Sequence, residues 1–330
     1  MKISVALCTL NGEKFLRTQL SSLVDQTLPP DEVIVCDEGS SDRTLLILEQ
    51  FKDRLPLQIH QNPTRLGTYQ NFQKALTLCT GDYIFPADQD DFWDPQKIER
   101  IATYFNHHED AEVVFTDAVL VDEFGQISGK RLWSTFRFRE EQQRDWKMGK
   151  SVDILLDGNR VTGCTMGIRK RFLDRITPFP TNLPSYFLHD AWMGLAAALE
   201  NKINFIPATY VQYRLHSEQQ VGVKGNQGTP PSLWERIQRP HEDKVGPYRK
   251  KLEFLIELRK AVSAKFPNQR FEPLDTRIHY WDRRANLPEA RWKRLKKTIQ
   301  NLILGNYHRY KDIDAPVETP YLMFLGDLIE

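Results

Sequence analysis

Three carboxylates lie within four residues, at Asp88, Asp90 and Asp91, directly after a short apolar segment, 83–86, that is typical of a β-strand. Like charges this close repel one another and raise each other's pKa, and Mg²⁺ or Mn²⁺ relieves that cost because hard cations prefer oxygen ligands. At the carboxyl end of a strand in an α/β sheet, such a site could hold a nucleotide diphosphate. The alternative is a solvated acidic turn that caps a helix starting near Asp94.

The composition is typical of an ordinary globular protein. The chain has 330 residues, of which 40% are hydrophobic and 27% are charged, enough for one large domain or two modest ones. The formal net charge is +1, so no overall positive field favours nucleic acid as a partner. We therefore expect no nucleic-acid binding.

The four cysteines are Cys8, Cys36, Cys79 and Cys164, and their spacing includes no C-x-x-C pair. We expect reduced thiols in a cytoplasmic protein and no zinc site. Because a strand begins at Lys2, we expect no signal peptide. No run approaches the roughly 18–20 apolar residues of a membrane span.

Strands and helices alternate along the first half of the chain. This β-α-β-α-β-α-β order predicts a doubly wound parallel sheet, in which ligands bind beyond the carboxyl ends of the strands. The polar clusters at 9–11, 37–42 and 88–91 each follow a strand and should converge there. The predicted strands are 3–8, 32–36, 57–60 and 83–85, and the helices between them cover 15–23, 41–51 and 71–79.

The pattern changes after Ala111. Residues 123–150 are polar and weakly periodic, which predicts a long loop that shapes a pocket. The other elements expected here are short strands at 113–115 and 119–121 with Asp117 between them, a strand at 164–168, a helix at 192–199 and a strand at 210–214.

In the last hundred residues, a stretch rich in Gly, Asn, Gln and Pro predicts a flexible loop or linker at 223–232. Helical periodicity predicts long helices at 234–266 and 288–304. Within them, residues 283–311 carry nine basic residues and one acidic residue, Glu289. A basic amphipathic helix can lie on an anionic membrane. We favour the alternative of a helix packed on the catalytic domain with a solvated basic face. The apolar residues at helical spacing are Trp292, Leu295, Ile299, Leu302 and Ile303.

Four blocks of residues, taken together and in this order, resemble the inverting family-2 glycosyltransferases of GT-A fold. The resemblance covers about residues 2–223 and is nearest to bacterial rhamnosyltransferase-type enzymes of surface polysaccharide synthesis. The blocks are 6–12 (ALCTLNG), 35–42 (VCDEGSSD), 87–93 (ADQDDFW), and 189–192 (HDAW) with 213–216 (YRLH).

The resemblance implies which residues bind a nucleotide-sugar donor. Glu38 stands where the family has an acidic residue that binds the base imide, and Leu10 where an aromatic residue usually stacks on the base. Arg65 matches a basic position that reaches the base or phosphate, with a surface-loop arginine as the alternative. The implied donor-binding residues are Cys8, Leu10, Asn11, Asp37, Glu38, Arg65, Asp88, Asp90 and Arg214.

The resemblance also implies a divalent cation, Mg²⁺ or Mn²⁺. Asp90 would coordinate it directly, and Asp88 would contact the ribose or a water on the metal. His216 follows the last predicted strand and matches a position that ligates metal in some family members. Arg214 would pair with the diphosphate or form a structural salt bridge.

Asp190 is the implied catalytic residue. An inverting transferase needs a general base that takes the proton of the acceptor hydroxyl as it attacks the anomeric carbon. The alternative is that Asp190 caps the helix that follows it. Its neighbour His189 is expected to contact the acceptor or orient the site.

The sequence thus predicts an α/β protein with a GT-A, Rossmann-like and mostly parallel sheet and a helical C-terminal extension. The catalytic domain would cover 1–223, with a nucleotide-sugar half (1–117) and an acceptor half (118–223), and the extension 224–330. The predicted function is metal-dependent inverting transfer of a sugar, rhamnose being one candidate, from a UDP- or dTDP-sugar to a glycan or lipid-linked glycan. The expected location is cytoplasmic, with peripheral membrane contact through 283–311 as an open alternative.

Two other functions remain open. A catalytically degenerate sugar-nucleotide-binding or scaffold protein would fit the departures at Leu10 and Glu38. A sugar nucleotidyltransferase would need a Gly-rich basic loop after the first strand, and the turn at 11–13 (NGE) lacks it.

Overall fold

The computed structural model describes residues 1–217, 233–311 and 319–329. The linker predicted at 223–232 lies outside the described residues. The chain divides into two compact units, one formed by Met1–Thr181 with Ser185–Val223 and the other by Asn182–Pro184 with Lys224–Glu330. The first is an α/β unit and the second is helical.

The first unit is built on one mixed sheet. Its strands are β1 (Ile3–Thr9), β2 (Glu32–Asp37), β3 (Leu57–Gln61), β4 (Tyr83–Ala87), β5 (Phe92–Trp93), β6 (Val113–Val121), β7 (Ile127–Arg131), β8 (Met166–Arg169) and β9 (Ile203–Arg214). They lie in the order β3-β2-β1-β4-β8-β6-β9-β5, with β7 paired to β6. The helices are α1 (Leu16–Val24), α2 (Thr44–Gln50), α3 (Thr68–Leu78), α4 (Lys97–His107), α5 (Leu132–Thr135), α6 (Glu140–Asp145), α7 (Ser151–Asp157), α8 (Lys170–Ile176) and α9 (His189–Leu199).

Strands β3, β2, β1 and β4 are parallel neighbours, as the alternating pattern predicts. β1 and β2 are buried along almost their whole length because they lie inside the sheet, which explains their continuous apolar runs. Thr9 is opposite Asp37 and Leu7 is opposite Ala87 in the register. The loops after β1, β2 and β4 therefore begin at the same edge of the sheet.

The second half of the sheet is mostly antiparallel. β8 runs antiparallel to β4 and β6, and β5 runs antiparallel to β9. The prediction of two strands at 113–115 and 119–121 is wrong, because these residues belong to a single strand, β6. Asp117 lies buried in its middle and accepts hydrogen bonds from the N–H groups of Ala118 (2.8 Å) and Trp133 (2.9 Å). Because its carboxylate is satisfied, the polar residue does not end the strand.

The long loop predicted at 123–150 is also wrong for most of its length, because this region holds β7, α5, α6 and a π-helical turn at Trp146–Lys150. Three of its aromatic side chains, Trp133, Phe138 and Trp146, are buried. They pack edge to face against one another and against Phe205 of β9. A few large side chains thus bury a segment whose sequence is mainly polar.

The second unit contains six helices in its described residues. They are α10 (Leu233–Gln238), α11 (His241–Lys265), α12 (Glu272–Ala285), α13 (Leu295–Ile303), α14 (Asn306–Arg309) and α15 (Thr319–Ile329), with a 3-10 turn at Arg291–Arg294 before α13. The helix predicted at 234–266 is divided at Pro240, and α12 was not predicted. Arg277 and Arg284 are buried in α12, which weakens its apolar periodicity.

A buried ion pair joins four helices of this unit. Arg284 donates from Nε to Asp327 Oδ2 (2.7 Å) and from Nη2 to Asp327 Oδ1 (2.9 Å). Tyr307 donates to the same carboxylate (2.9 Å), and the hydroxyls of Tyr248 and Tyr280 accept from Arg284. Among the helices of the described residues, none is both long enough and apolar enough to cross a membrane.

Candidate active site

A buried carboxylate organises the loop that follows β2 and ties it to the end of β1. Asp37 Oδ1 accepts hydrogen bonds from the N–H groups of Gly39 (3.0 Å) and Ser40 (2.8 Å). Its Oδ2 accepts from the hydroxyls of Thr9 (2.7 Å) and Ser40 (2.6 Å). These protein donors show that Asp37 shapes the loop, while its predicted contact with the ribose or base stays a prediction.

Gln89, between the two aspartates of the Asp-x-Asp motif, holds the segment after β1. Its Oε1 accepts from the N–H of Leu10 (2.8 Å) and its Nε2 donates to the carbonyl of Leu10 (3.0 Å). A Cβ on Gly12 would lie 2.4 Å from Gln89 Oε1, so a larger residue there would displace the Gln89 amide. Asn11 has a left-handed φ of 48°, and its Oδ1 accepts from the N–H of Ser41 (2.9 Å).

Glu38 anchors the loop between β3 and α3, residues 62–67, which contains Arg65. Its Oε1 accepts from Asn62 Nδ2 (3.0 Å) and the N–H of Leu66 (2.9 Å), and its Oε2 accepts from the N–H of Gly67 (2.9 Å). Arg65 lies exposed on that loop. The structure therefore fixes the Arg65 loop to the end of β2, next to the loops of β1 and β4.

Four aspartates converge after β4. Burial, then the charges of Asp91, Asp90 and Asp190, raise the pKa of Asp88 well above its usual range. The effect of its charge on Asp88 places the predicted catalytic residue Asp190 near the predicted cation ligands, although α9 is distant in sequence. At the end of β1, burial and neighbouring groups that include Asp88 also raise the pKa of the Cys8 thiol.

His216 meets the Asp-x-Asp motif directly. Its Nε2 lies 2.7 Å from Asp90 Oδ2, and its ring centroid lies 4.9 Å from that of Phe15. Two residues before it, Arg214 donates from its N–H to Asp91 Oδ1 (3.2 Å). The end of β9 is thus attached to the loop after β4, and this attachment brings the predicted metal ligands Asp90 and His216 together.

The Arg214 side chain is buried and donates to backbone carbonyls. Its Nε contacts the carbonyl of Asp90 (2.8 Å), and its Nη1 contacts those of Asp122 (3.2 Å) and Glu123 (3.1 Å). The guanidinium also lies 4.8 Å from the Phe15 ring centroid. These contacts favour a structural role, and pairing with a diphosphate stays a prediction.

A buried lysine lies behind the aspartates, and the sequence pattern did not indicate it. Lys97 is fully buried at the start of α4; its Nζ donates to the carbonyl of Cys164 (2.5 Å) and lies 2.9 Å from the Trp93 ring centroid. Burial lowers the Lys97 pKa, and the charges of Asp91 and Asp88 oppose that shift. Nothing in the residue spacing distinguishes this lysine from an exposed one in a first helical turn.

Two groups of side chains near the Asp-x-Asp motif could hold a divalent cation, and only one of them fits a hard cation. Asp88, Asp91 and Cys164 present ligand atoms within 4.8 Å of one another. Burial raises the pKa of the Cys164 thiol well above its usual range, so it stays protonated and is a poor ligand for Mg²⁺ or Mn²⁺. The carboxylates of Asp88 and Asp90 with the imidazole of His216 are the better match in type.

Asp190 lies in the first turn of α9 and does not cap that helix, because Leu188 occupies the N-cap position. Its Oδ2 accepts from the N–H of Gly163 (3.2 Å) and its Oδ1 from the N–H of Ala191 (2.7 Å). Burial raises the pKa of Asp190 to about 6, and these hydrogen bonds oppose the shift. The carboxylate is therefore ionised at neutral pH and basic enough to accept a proton.

His189 is buried beside Asp190 and stacks on Phe72 with ring centroids 3.9 Å apart. Burial lowers its pKa to about 3, so the ring is neutral. A Cβ on Gly163 would lie 2.8 Å from His189 Nε2, so the glycine and the ring together set the position of the first turn of α9. Neither buried ring nitrogen has a hydrogen-bond partner among the described residues, and the roles of acceptor contact and orientation stay predictions.

A cavity of about 340 Å³ lies next to Arg214. Lys14 and Glu123 form an ion pair at its rim (2.6 Å), and Phe124 is 79% exposed there. Of the region 123–150, only its first residues border this cavity. The lining residues are Lys14, Phe15, Thr18, Phe92, Glu123, Phe124, Gly125, Gln212 and Arg214.

The sequence profile described as glycosyl transferase family 2 matches residues 4–176, more than half of the chain. The chain belongs to this family. It is a glycosyltransferase.

Relatives of this glycosyltransferase match part of its length. An uncharacterised protein of Mycobacterium tuberculosis is 26% identical over 220 residues, which cover 65% of this chain and 59% of that protein. The chain thus spans less than two thirds of that relative's length. Poly(ribitol-phosphate) beta-N-acetylglucosaminyltransferase TarS of Staphylococcus aureus is 32% identical over 118 residues, which cover 34% of this chain and 21% of TarS.

The fold also resembles that of TarS. The crystal structure of TarS residues 1–349 in complex with UDP-GlcNAc aligns with a TM-score of 0.56 at 17% identity, covering 99% of this chain and 82% of that one. The likeness confirms the predicted GT-A fold of the family 2 glycosyltransferase.

Proposed function

We propose that this glycosyltransferase moves a sugar from a nucleotide-diphosphate donor to a hydroxyl of a glycan, with inversion at the anomeric carbon. The observation that carries the proposal is a basic carboxylate, Asp190, whose pKa is about 6 and whose charge acts on Asp88 in the Asp-x-Asp motif. A base beside a diphosphate-binding motif is what a single displacement requires.

Asp190 would take the proton of the acceptor hydroxyl as that oxygen attacks. The N–H of Gly163 holds one carboxylate oxygen, which keeps the side chain in one position while it works. Buried His189 cannot compete for the proton, because its pKa is lowered to about 3. The proton transfer is thus assigned to one residue.

Asp88, Asp90 and His216 would hold Mg²⁺ or Mn²⁺. Bound there, the cation would offset the diphosphate charge and stabilise the leaving nucleoside diphosphate. The contact between Asp90 Oδ2 and His216 Nε2 keeps both side chains pointed at a common position. The contact from Arg214 to the Asp90 carbonyl holds the loop that carries them.

We propose UDP or dTDP as the donor nucleotide and rhamnose as a candidate sugar, with a glycan or lipid-linked glycan as acceptor. The relatedness to TarS, which was crystallised with UDP-GlcNAc, supports a uridine nucleotide. Cys8, Leu10, Asn11, Glu38 and Arg65 border the edge of the sheet where the base and ribose would lie. The rhamnose assignment rests on the motif resemblance alone.

Calorimetric titration of UDP, dTDP and GDP, each with and without Mn²⁺, tests the donor site. We expect Mn²⁺-dependent binding of one nucleotide to the wild type and its loss in Asp90→Asn, because that change removes a charged ligand. Asp53→Asn is the matched control, since Asp53 is exposed and lies outside the site. If no nucleotide binds with Mn²⁺ present, or if Asp90→Asn binds as well as the control, the proposed donor site is wrong.

A further inference from the structure

Helix α13 exposes its apolar side and buries its polar side, which is the reverse of the expected orientation. Its apolar residues Leu295, Ile299 and Ile303 are exposed, with 78% exposure at Ile303, while Thr298 and Asn301 are fully buried. A surface helix of a globular protein normally buries its apolar stripe. The sequence favoured a packed helix with a solvated basic face; Lys293 and Lys296 are exposed, but the apolar residues are exposed as well.

Hydrogen bonds explain why the polar side faces inward. Asn301 Oδ1 accepts from Arg283 Nε of α12 (2.8 Å) and from Asn306 Nδ2 of α14 (3.1 Å). Leaving these buried groups unpaired would be costly, so α13 has no low-cost rotation that would hide its apolar side.

A neighbouring helix enlarges the apolar area. α15 packs against α13 and against the turn at Arg291–Arg294. Its inner side carries Gly326 and Asp327, which are buried, and its outer side is apolar. We define the apolar face as the exposed residues Trp292, Leu295, Ile299, Ile303, Tyr321, Leu322, Leu325 and Ile329.

Exposed cations border the apolar face. Lys293 and Lys296 are exposed, and the Lys293 ammonium lies 5.2 Å from the Trp292 ring centroid. The buried cations Arg284 and Arg294 are engaged within the unit and do not contribute to this border. In sequence, the segment 312–318 adds three acidic residues, and it lies outside the described residues.

We propose that the apolar face lies on an anionic lipid bilayer, with its cations at the phosphate level. Exposed Trp, Leu and Ile residues beside Lys and Arg are the composition of an interfacial helix, because the rings and aliphatic chains enter the acyl boundary while the ammonium groups reach the phosphates. This binding is independent of the proposed sugar transfer.

Co-sedimentation of the full chain with vesicles tests the proposal. We expect binding to vesicles of phosphatidylcholine with phosphatidylglycerol and at least about tenfold weaker partitioning to pure phosphatidylcholine, with the difference reduced by high salt. Ile303→Ser with Trp292→Ser should lower partitioning by at least about tenfold, since both side chains are exposed and apolar. Leu46→Ser is the matched control, because Leu46 is 55% exposed on α2 in the first unit.

Three results would overturn the proposal. These are no binding to the anionic vesicles, equal binding by the double variant and the control, or light scattering that shows a dimer dissociated by the double variant. The last result would identify a second copy of the chain as the occupant. Nucleotide titration of the same variants checks that the first unit is intact and keeps this test separate from that of the donor site.

Discussion

Activity should fall steeply as the pH is lowered through about 6, because Asp190 must be ionised to accept a proton. Burial places its pKa at about 6, well above the ordinary range of an aspartate, and the N–H groups of Gly163 and Ala191 lessen the shift without cancelling it. The experiment varies only the pH of the assay.

The size of the effect follows from the pKa. With a pKa of about 6, about 91% of the carboxylate is ionised at pH 7 and about 9% at pH 5, so activity should fall about tenfold. An aspartate with the reference pKa of about 3.9 would lose less than about a tenth of its activity over the same range. The two cases are easily distinguished.

The measurement is kcat/KM for the donor against pH at saturating Mn²⁺, which reports the pKa of the free enzyme. Nucleotide binding measured at each pH separates titration of the base from that of the donor site. Asp190→Asn should lower kcat by about 10²–10⁴-fold at pH 7 while it keeps nucleotide binding.

Two results would refute the reasoning. One is a kcat/KM that stays level down to about pH 5 while nucleotide binding is also level. The other is an Asp190→Asn variant that retains most of the wild-type kcat. Either would show that the acceptor proton leaves by another route.

Two further changes test how the structure is held together. Gly12→Ala should weaken nucleotide binding, because the new Cβ would meet Gln89 Oε1 and break its two hydrogen bonds to Leu10; unchanged binding by calorimetry would contradict this. Asp327→Asn should lower the free energy of unfolding in urea by about 3–5 kcal/mol, because it leaves the buried Arg284 charge unpaired. The exposed-pair control Glu242→Gln should cost less than about 1 kcal/mol, and equal losses would show that burial is not the cause.

Much of the first half of the fold could be predicted from the sequence. β1, β2 and β4 are short apolar runs because they are buried on both faces of the sheet, and segments of helical periodicity separate the strands. The Asp-x-Asp motif could be assigned because it follows one of these strands directly. Its position at the sheet edge needed no long-range information.

Prediction failed where burial of polar residues was involved. Asp117 interrupts the apolar pattern of β6, yet the strand continues because Trp133, distant in sequence, supplies a donor. Lys97 gives no sequence signal for its burial beneath the aspartates. In α13, the burial of Thr298 and Asn301 reverses the side that amphipathicity alone would bury.

The sequence by itself determined the family, the order of the first strands and helices, and the residue types available for catalysis, because these depend on local periodicity and contiguous motifs. Tertiary structure decided which residues meet. Asp90 and His216 are in contact although they lie 126 residues apart in the sequence. The pKa of Asp190 is raised by burial that α9 acquires only on packing. Desolvation and charge proximity depend on distances in space, so residue spacing along the chain could suggest these partners but not their electrostatics.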